Sequence, residues 1–191
     1  MDVARPLSEE KRQAILDAAA ELVAAMGTGA STARIAKGAN VSEGTLFTYF
    51  ATKDALLNQL YLDIEAELAG AMLADFPAGG SARERACHLW DRFIDWGAAN
   101  PVKRKALRQL KVSDRITAES RHCSDGLFRD VKEKLGESLA EHASPDQPPD
   151  YVGAVLDTLA GTTLEFMADD PAQRDHYKQL GFQLLWKGIA R

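Results

Sequence analysis

Ser31-Thr32-Ala33-Arg34-Ile35-Ala36-Lys37-Gly38-Ala39-Asn40-Val41-Ser42-Glu43-Gly44-Thr45-Leu46-Phe47-Thr48-Tyr49-Phe50-Ala51-Thr52-Lys53-Asp54 contains two short apolar-periodic segments joined by a turn. The segments from about Thr32 to Ala39 and from about Glu43 to Phe50 each predict a helix of two turns, too short to persist without a tertiary scaffold. In the first, Ile35, Ala36 and Ala39 point inward, and Ala36 is small enough for the second helix to cross close by. Asn40 falls at the turn, where the backbone needs a left-handed conformation that Asn tolerates better than other non-glycine residues. Val41 fills the angle between the helices, Ser42 caps the second, and Leu46 and Phe50, four apart, share its buried face. Together these features read as a helix-turn-helix. The competing reading is a pair of packed helices in a bundle that touches no nucleic acid.

The residues left outside suit a groove in duplex DNA. Gly44 allows close approach of the backbone, and the hydroxyls of Ser42, Thr45, Thr48 and Tyr49 can donate to phosphate oxygens. Phe47 offers an apolar contact to a thymine methyl. The helix starts near Ser42 to Gly44 and at Lys53 add N–H donors and partial positive charge, with Arg34, Lys37 and Lys53 as point charges. Such local contacts are required, because 23 basic against 28 acidic residues give a net charge of −5, which a polyanion repels. The first 52 residues carry five basic and six acidic side chains, so this part is no basic module either.

Outward from that stretch the pattern stays helical, with Gly and Pro clustered between segments of 3.6-residue periodicity, and predicts an all-α chain of about nine helices. The first runs from a Ser8 cap to Gly27, with Ile15, Leu16, Ala19, Leu22, Val23 and Met26 along one face. The fourth begins at Lys53 behind Thr52 and reaches about Ala74, where Phe76-Pro77-Ala78-Gly79-Gly80 breaks it. Ser81-Ala82-Arg83-Glu84 is a capping box that opens the fifth. Asn100-Pro101 opens a sixth, ending near Val112. A long seventh is expected from Ser113 or Thr117 to about His142, followed by a break at Ser144–Asp150. The eighth spans about Tyr151 to Met167, and Asp170-Pro171 opens a ninth that ends near Ile189.

Several classes are disfavoured. The longest stretch without a charged residue, Leu22 to Ala33, falls short of the roughly 20 residues that span a membrane. The N-terminus lacks a secretory pattern, so a cytoplasmic location is expected. Cys87 and Cys123 are too few and too far apart for a disulfide framework or a CxxC site, and read as reduced structural thiols. His88, His122, His142 and His176 show no i, i+4 pairing, so neither a metal nor another cofactor is expected. No nucleophile and base pair, phosphate loop or paired acidic motif supports catalysis, so the chain reads as a binding protein, not an enzyme.

Thr32-Ala33-x-Ile35-Ala36, then Val41-Ser42-x-Gly44-Thr45-Leu46-Phe47-x-Tyr49-Phe50 and Thr52-Lys53-Asp54-x-Leu56, resembles the TetR family of bacterial transcriptional regulators. The match is close over about the first 60 residues and extends further only through length and helix order. The resemblance implies a DNA-binding domain over residues 8–54 and a helical ligand-binding and dimerisation domain over 55–191. It also implies a homodimer on a palindromic operator, released or altered by a small molecule. Base and phosphate contacts would fall on Thr32, Ser42, Glu43, Gly44, Thr45, Phe47, Thr48, Tyr49 and Lys53, with Arg34 alongside. Two residues depart from the family pattern: Asn40 stands where relatives usually have Gly, and Glu43 where the residue is often basic or small. An acid at that place accepts from a cytosine amino group or is repelled by phosphate.

The last two expected helices carry apolar stripes: Val152, Val155, Leu156, Leu159, Thr163 and Phe166 on one, Tyr177, Leu180, Gly181, Leu184, Leu185 and Ile189 on the other. They suit a four-helix dimer interface or the domain's own core, and the pattern alone does not choose. The dimer assignment rests on Val152, Val155, Leu156, Leu159, Tyr177, Leu180, Leu184 and Leu185. On the fifth helix Trp90, Phe93 and Trp96 recur at i, i+3 and i+6 and point to a ligand cavity, with His122, Cys123, Phe128 and Phe166 as further candidates. Aromatic stripes also serve as core. If they line a pocket, its apolar character favours a hydrophobic or aromatic effector over a sugar or phosphate. Lys103, Arg104, Lys105, Arg108, Lys111 and Arg115 form one basic cluster, a solvated face or a source of non-specific attraction to a duplex. A small-molecule carrier or an enzyme with a structural helix-turn-helix, or an activator of the same fold, remain the competing functions.

Overall fold

The computed structural model describes residues 8–139 and 148–189, the side chains of Pro149 and Ile189 excepted. These residues form ten α-helices and no strand. In chain order they are α1 Glu9–Met26, α2 Thr32–Gly38, α3 Glu43–Tyr49, α4 Lys53–Leu73, α5 Ala82–Ala99, α6 Pro101–Lys111, α7 Ala118–Leu127, α8 Arg129–Leu139, α9 Pro149–Asp169 and α10 Arg174–Ile189. Single 3₁₀ turns stand at Gly27–Gly29 and Pro171–Gln173.

The starts follow the local chemistry of the sequence. Ser8 Oγ accepts the Lys11 amide at 3.3 Å, and the Ser81 and Glu84 side chains form the expected reciprocal capping box. Two boundaries differ from expectation. The long seventh helix is two, α7 and α8, interrupted at Phe128. Its buried positions Ser120, Ser124, Val131 and Leu135 keep a continuous helical spacing across the break, which conceals it from periodicity. The ninth expected helix begins as a 3₁₀ turn, and α10 follows from Arg174, because the Asp170 side chain makes no capping bond. His142 and most of the Ser144–Asp150 break lie outside the described residues, but Pro148 serves as the N-cap of α9.

The chain divides into two compact units. The first contains the described residues up to Glu65 together with Pro101–Ser124. Its core takes Ile15, Leu16, Ala19 and Val23 from α1, Ile35 and Ala36 from α2, Leu46 from α3, Leu56, Leu57 and Leu60 from α4, and Ala106, Leu107 and Leu110 from α6. α1 packs on α2 and α6. A Cβ on Gly38 would lie 3.2 Å from the Ala18 Cβ, so the α1–α2 crossing is tight. Met26, expected on the inner face of α1, is 41% exposed at the helix end.

The second unit contains Ala66–Asn100 and the described residues from Asp125 onward. α5 packs against α8, α9 and α10, and α9 against α10. Trp90 and Ile94 of α5, Val131 and Leu139 of α8, Leu156, Ala160 and Leu164 of α9, and Phe182 and Leu185 of α10 are buried there. α10 crosses where Gly181 lacks a side chain: a Cβ at that position would lie 2.5 Å from both Trp90 Cζ2 and Thr163 Oγ1. No described helix is long and apolar enough to cross a membrane.

Candidate nucleic-acid interface

The α2–α3 pair is built from short-range bonds that each answer to a particular residue. Ser31 Oγ accepts the Arg34 amide at 3.3 Å and starts α2. At the other end Asn40 has φ 54°, the Asn40 amide donates to the Lys37 carbonyl at 3.1 Å, and the Val41 amide to the Ala36 carbonyl at 2.9 Å. This is the two-bond helix stop that a left-handed residue completes, usually a glycine. Ser42 Oγ then accepts the Thr45 amide at 3.0 Å and lies 2.8 Å from Thr45 Oγ1, fixing the start of α3. Leu46, wholly buried, and Phe50, 5% exposed, anchor α3 from beneath.

What α3 leaves uncovered is Glu43, Gly44, Phe47 and Thr48, with Thr45 and Tyr49 half-buried. Phe47 is 42% exposed, unusual for its size, and has no covering partner among the ring contacts of the described residues. Three of the expected phosphate donors carry internal duties that the sequence conceals. The Tyr49 hydroxyl accepts the Ser8 amide at 3.0 Å, tying α3 to the start of α1, yet it keeps its own proton to donate. Thr48 Oγ1 donates to the Gly44 carbonyl at 3.0 Å. Thr32 Oγ1 donates to Glu43 Oε1 across the two helices.

The flanking cations belong to the same unit. Arg34 is exposed, and its Nη1 approaches the Met26 thioether at 3.0 Å. Lys53 is the first residue of α4, behind a Thr52 hydroxyl that accepts the Ala55 amide at 3.0 Å. Partial burial, and next the Arg115 guanidinium, lower the Lys53 pKa, while Asp54 opposes them. Arg115 pairs with Asp54 at 2.7 Å, and Asn58 fastens the same loop by donating to the Arg115 carbonyl at 2.9 Å and accepting the Thr117 amide at 2.9 Å. Arg115 thus leaves the basic cluster to brace the start of α4, a role that only long-range pairing reveals. Lys111 pairs at 3.6 Å with Glu65, which is 2% exposed.

Residues 15–60 match the family described as bacterial regulatory proteins, tetR family. The matched stretch contains all of α2, the turn and α3. Over this stretch the chain is similar to the TetR family. The whole chain has the fold of that family's transcriptional regulators. It superposes with TM-score 0.81 and 29% identity on a protein from Shewanella sp. PV-4 assigned to the tetR family of transcription regulators, covering 95% of this chain and 98% of that one. A TetR family transcription regulator from Marinobacter aquaeolei VT8 gives TM-score 0.84 at 20% identity over 95% and 96% of the two chains. The TetR-like regulator LfrR from Mycobacterium smegmatis, in complex with proflavine, gives 0.70 at 22% over 96% and 99%. The TetR fold thus extends well beyond the stretch that the sequence motif covers.

The candidate effector residues of this TetR-like chain are dispersed. Trp90, Phe93 and Trp96 are buried on α5 in the second unit, with the indole N–H of Trp90 donating to the Lys178 carbonyl at 2.9 Å and that of Trp96 to Glu67 at 3.0 Å. Phe128 is half-buried, and Phe166 is 53% exposed beside Tyr177, ring centroids 5.4 Å apart. His122 and Cys123 belong to the first unit and are exposed. Of the candidate dimer residues, Val152, Leu156 and Leu185 are buried, Leu159 and Tyr177 half-buried, and Val155, Leu180 and Leu184 exposed. Val152, Val155, Leu159, Leu184 and Leu185 line one open groove of about 210 Å3 on α9 and α10. Tyr151 and Gly188 complete its wall. Neither was singled out by the sequence stripe, because each lies at the end of its helix.

Proposed function

We propose that the protein is a ligand-responsive transcriptional repressor that binds a palindromic operator as a homodimer and is released by a small hydrophobic or aromatic effector. Residues 8–54 serve DNA binding and 55–191 serve effector binding and dimerisation, in the cytoplasm and without a catalytic step. The observation that carries this reading is the outward face of α3. A seven-residue helix anchored by Leu46 presents Glu43, Gly44, Phe47 and Thr48 to solvent, in a stretch that matches a DNA-binding family. Ser42, Thr45, Tyr49, Arg34 and Lys53 border that face and would position the duplex through its phosphates, while the Thr32 hydroxyl is engaged by Glu43.

The dimer reading is supported by the α9–α10 groove. Val155, Leu180 and Leu184 are 37%, 39% and 55% exposed, a patch that a second copy of the same pair would cover in a four-helix arrangement. A twofold dimer would set two α3 helices about 34–36 Å apart, one turn of DNA. The effector reading is supported by the aromatic content of α5, and LfrR offers a relative of the same fold in complex with proflavine. The test is a mobility shift on DNA flanking the protein's own gene at two salt concentrations, repeated with a panel of apolar compounds. A salt-sensitive shift that one compound abolishes is the expected result. A dimer that shifts no inverted-repeat DNA in any condition would overturn the proposal.

A further inference from the structure

We infer that Glu43 reads a cytosine in each operator half-site and that Thr32 holds its carboxylate in place to do so. The inference rests on the DNA-binding reading of α3. Glu43 is the first residue of that helix and is exposed, and residues there reach base edges when such a helix enters the major groove. Its Oε1 accepts the Thr32 hydroxyl, eleven residues away on α2, so the side chain is tied down on the open face and does not sweep solvent. One carboxylate oxygen is engaged and Oε2 remains to meet the DNA. Among the described residues no cation forms an ion pair with Glu43, so its negative charge is not neutralised within the interface.

A fixed anion with one open acceptor discriminates among base edges. Guanine presents only acceptors in the major groove and thymine an acceptor and a methyl, and both repel or fail to bond a carboxylate. Adenine offers an amino group beside the N7 acceptor, which opposes the same charge. Cytosine alone offers an amino donor with no acceptor next to it. The phosphate backbone is excluded by like charge. Thr32, expected from the sequence to contact phosphate, is therefore a positioning residue for Glu43, and the acid that departs from the family pattern becomes a selector.

The experiment is selection of binding sites from a random inverted-repeat library with the native protein and with Glu43→Gln, Thr32→Val and Thr32→Ser, each first checked for an unchanged melting midpoint. The native protein is expected to enrich one cytosine per half-site about tenfold over other bases, within the usual range for a specific contact. Glu43→Gln should move the preference at that position to adenine, whose N6 and N7 an amide matches. Thr32→Val should relax the preference without abolishing DNA binding, and Thr32→Ser, which keeps the hydroxyl, should restore it. Native and Glu43→Gln proteins that enrich the same base would overturn the inference while leaving the DNA-binding reading intact. Full discrimination retained by Thr32→Val would overturn the role of Thr32. A native protein that enriches no DNA would overturn the DNA-binding reading, and this inference with it.

Discussion

The α2–α3 pair and the α9–α10 pair both leave part of their surface uncovered, but with different chemistry. α3 is held by Leu46 and turns Glu43, Gly44 and Thr48 outward with a single apolar ring, Phe47, whereas α9 and α10 bury Leu156 and Leu185 and still leave the wholly apolar set Val155, Leu180 and Leu184 in solvent. Hydroxyls suit the hydrated phosphates of a duplex, and an acid suits only an amino donor on a base edge, so the contacts there are hydrogen bonds that water also makes. Leucines suit a partner that excludes water, since burying apolar area is the main favourable term in association. The uncovered chemistry therefore separates the two surfaces before any partner is known.

Leu46→Ala is expected to cost about 2–5 kcal/mol, the range for removing a buried leucine, read as a fall in denaturation midpoint. A cost below 1 kcal/mol would mean that α3 is held by something else. Next, Gly181→Ala places a Cβ 2.5 Å from Trp90 Cζ2 and Thr163 Oγ1 and should cost roughly 1–3 kcal/mol, with a change in tryptophan fluorescence that Leu46→Ala does not produce. Ser42→Ala removes the cap of α3 and should lower stability by about 1 kcal/mol, measured by urea titration. Leu184→Asp should change the stability of the isolated fold by less than about 0.5 kcal/mol, as an exposed site does, while shifting sedimentation from dimer to monomer. Equal loss of stability and association would place Leu184 in the core instead.

Thiol labelling gives a finer reading of the same two units. Cys87 on α5 has its pKa raised to about 11 by burial and, next, by Asp91, so at pH 8 it is almost wholly the unreactive thiol. Cys123 is exposed. Iodoacetamide at pH 8 should modify Cys123 well before Cys87, and Cys87 should gain reactivity as pH rises toward about 11. Comparable rates at pH 8 would contradict the burial of the second unit around α5.

The α2–α3 pair was legible because each step has a local cause: a serine cap, an Asn at positive φ, a leucine and a phenylalanine four apart. The same local chemistry placed the capping box of α5 and the proline start of α6. The break at Phe128 was not legible, because the buried spacing runs through it without a change of phase. Long-range pairings were equally hidden, among them Thr32 with Glu43, Tyr49 with Ser8, and Arg115 with Asp54. Residue type indicates that a threonine can donate, but not to whom. For the aromatic stripe of α5 the sequence showed which face is apolar and left open what covers it, and the structure covers much of it with the second unit's own helices.

The most direct test of the central claim is sedimentation velocity of the protein with a fluorescent inverted-repeat duplex from beside its own gene, for the native chain and for Thr45→Ala with Thr48→Ala. The native protein is expected to be a dimer that carries the duplex, and the variant to be still dimeric but to leave the duplex free. A native protein that never co-sediments with the duplex, or a variant that binds it as tightly as the native chain, would contradict the assignment of the α3 face to DNA.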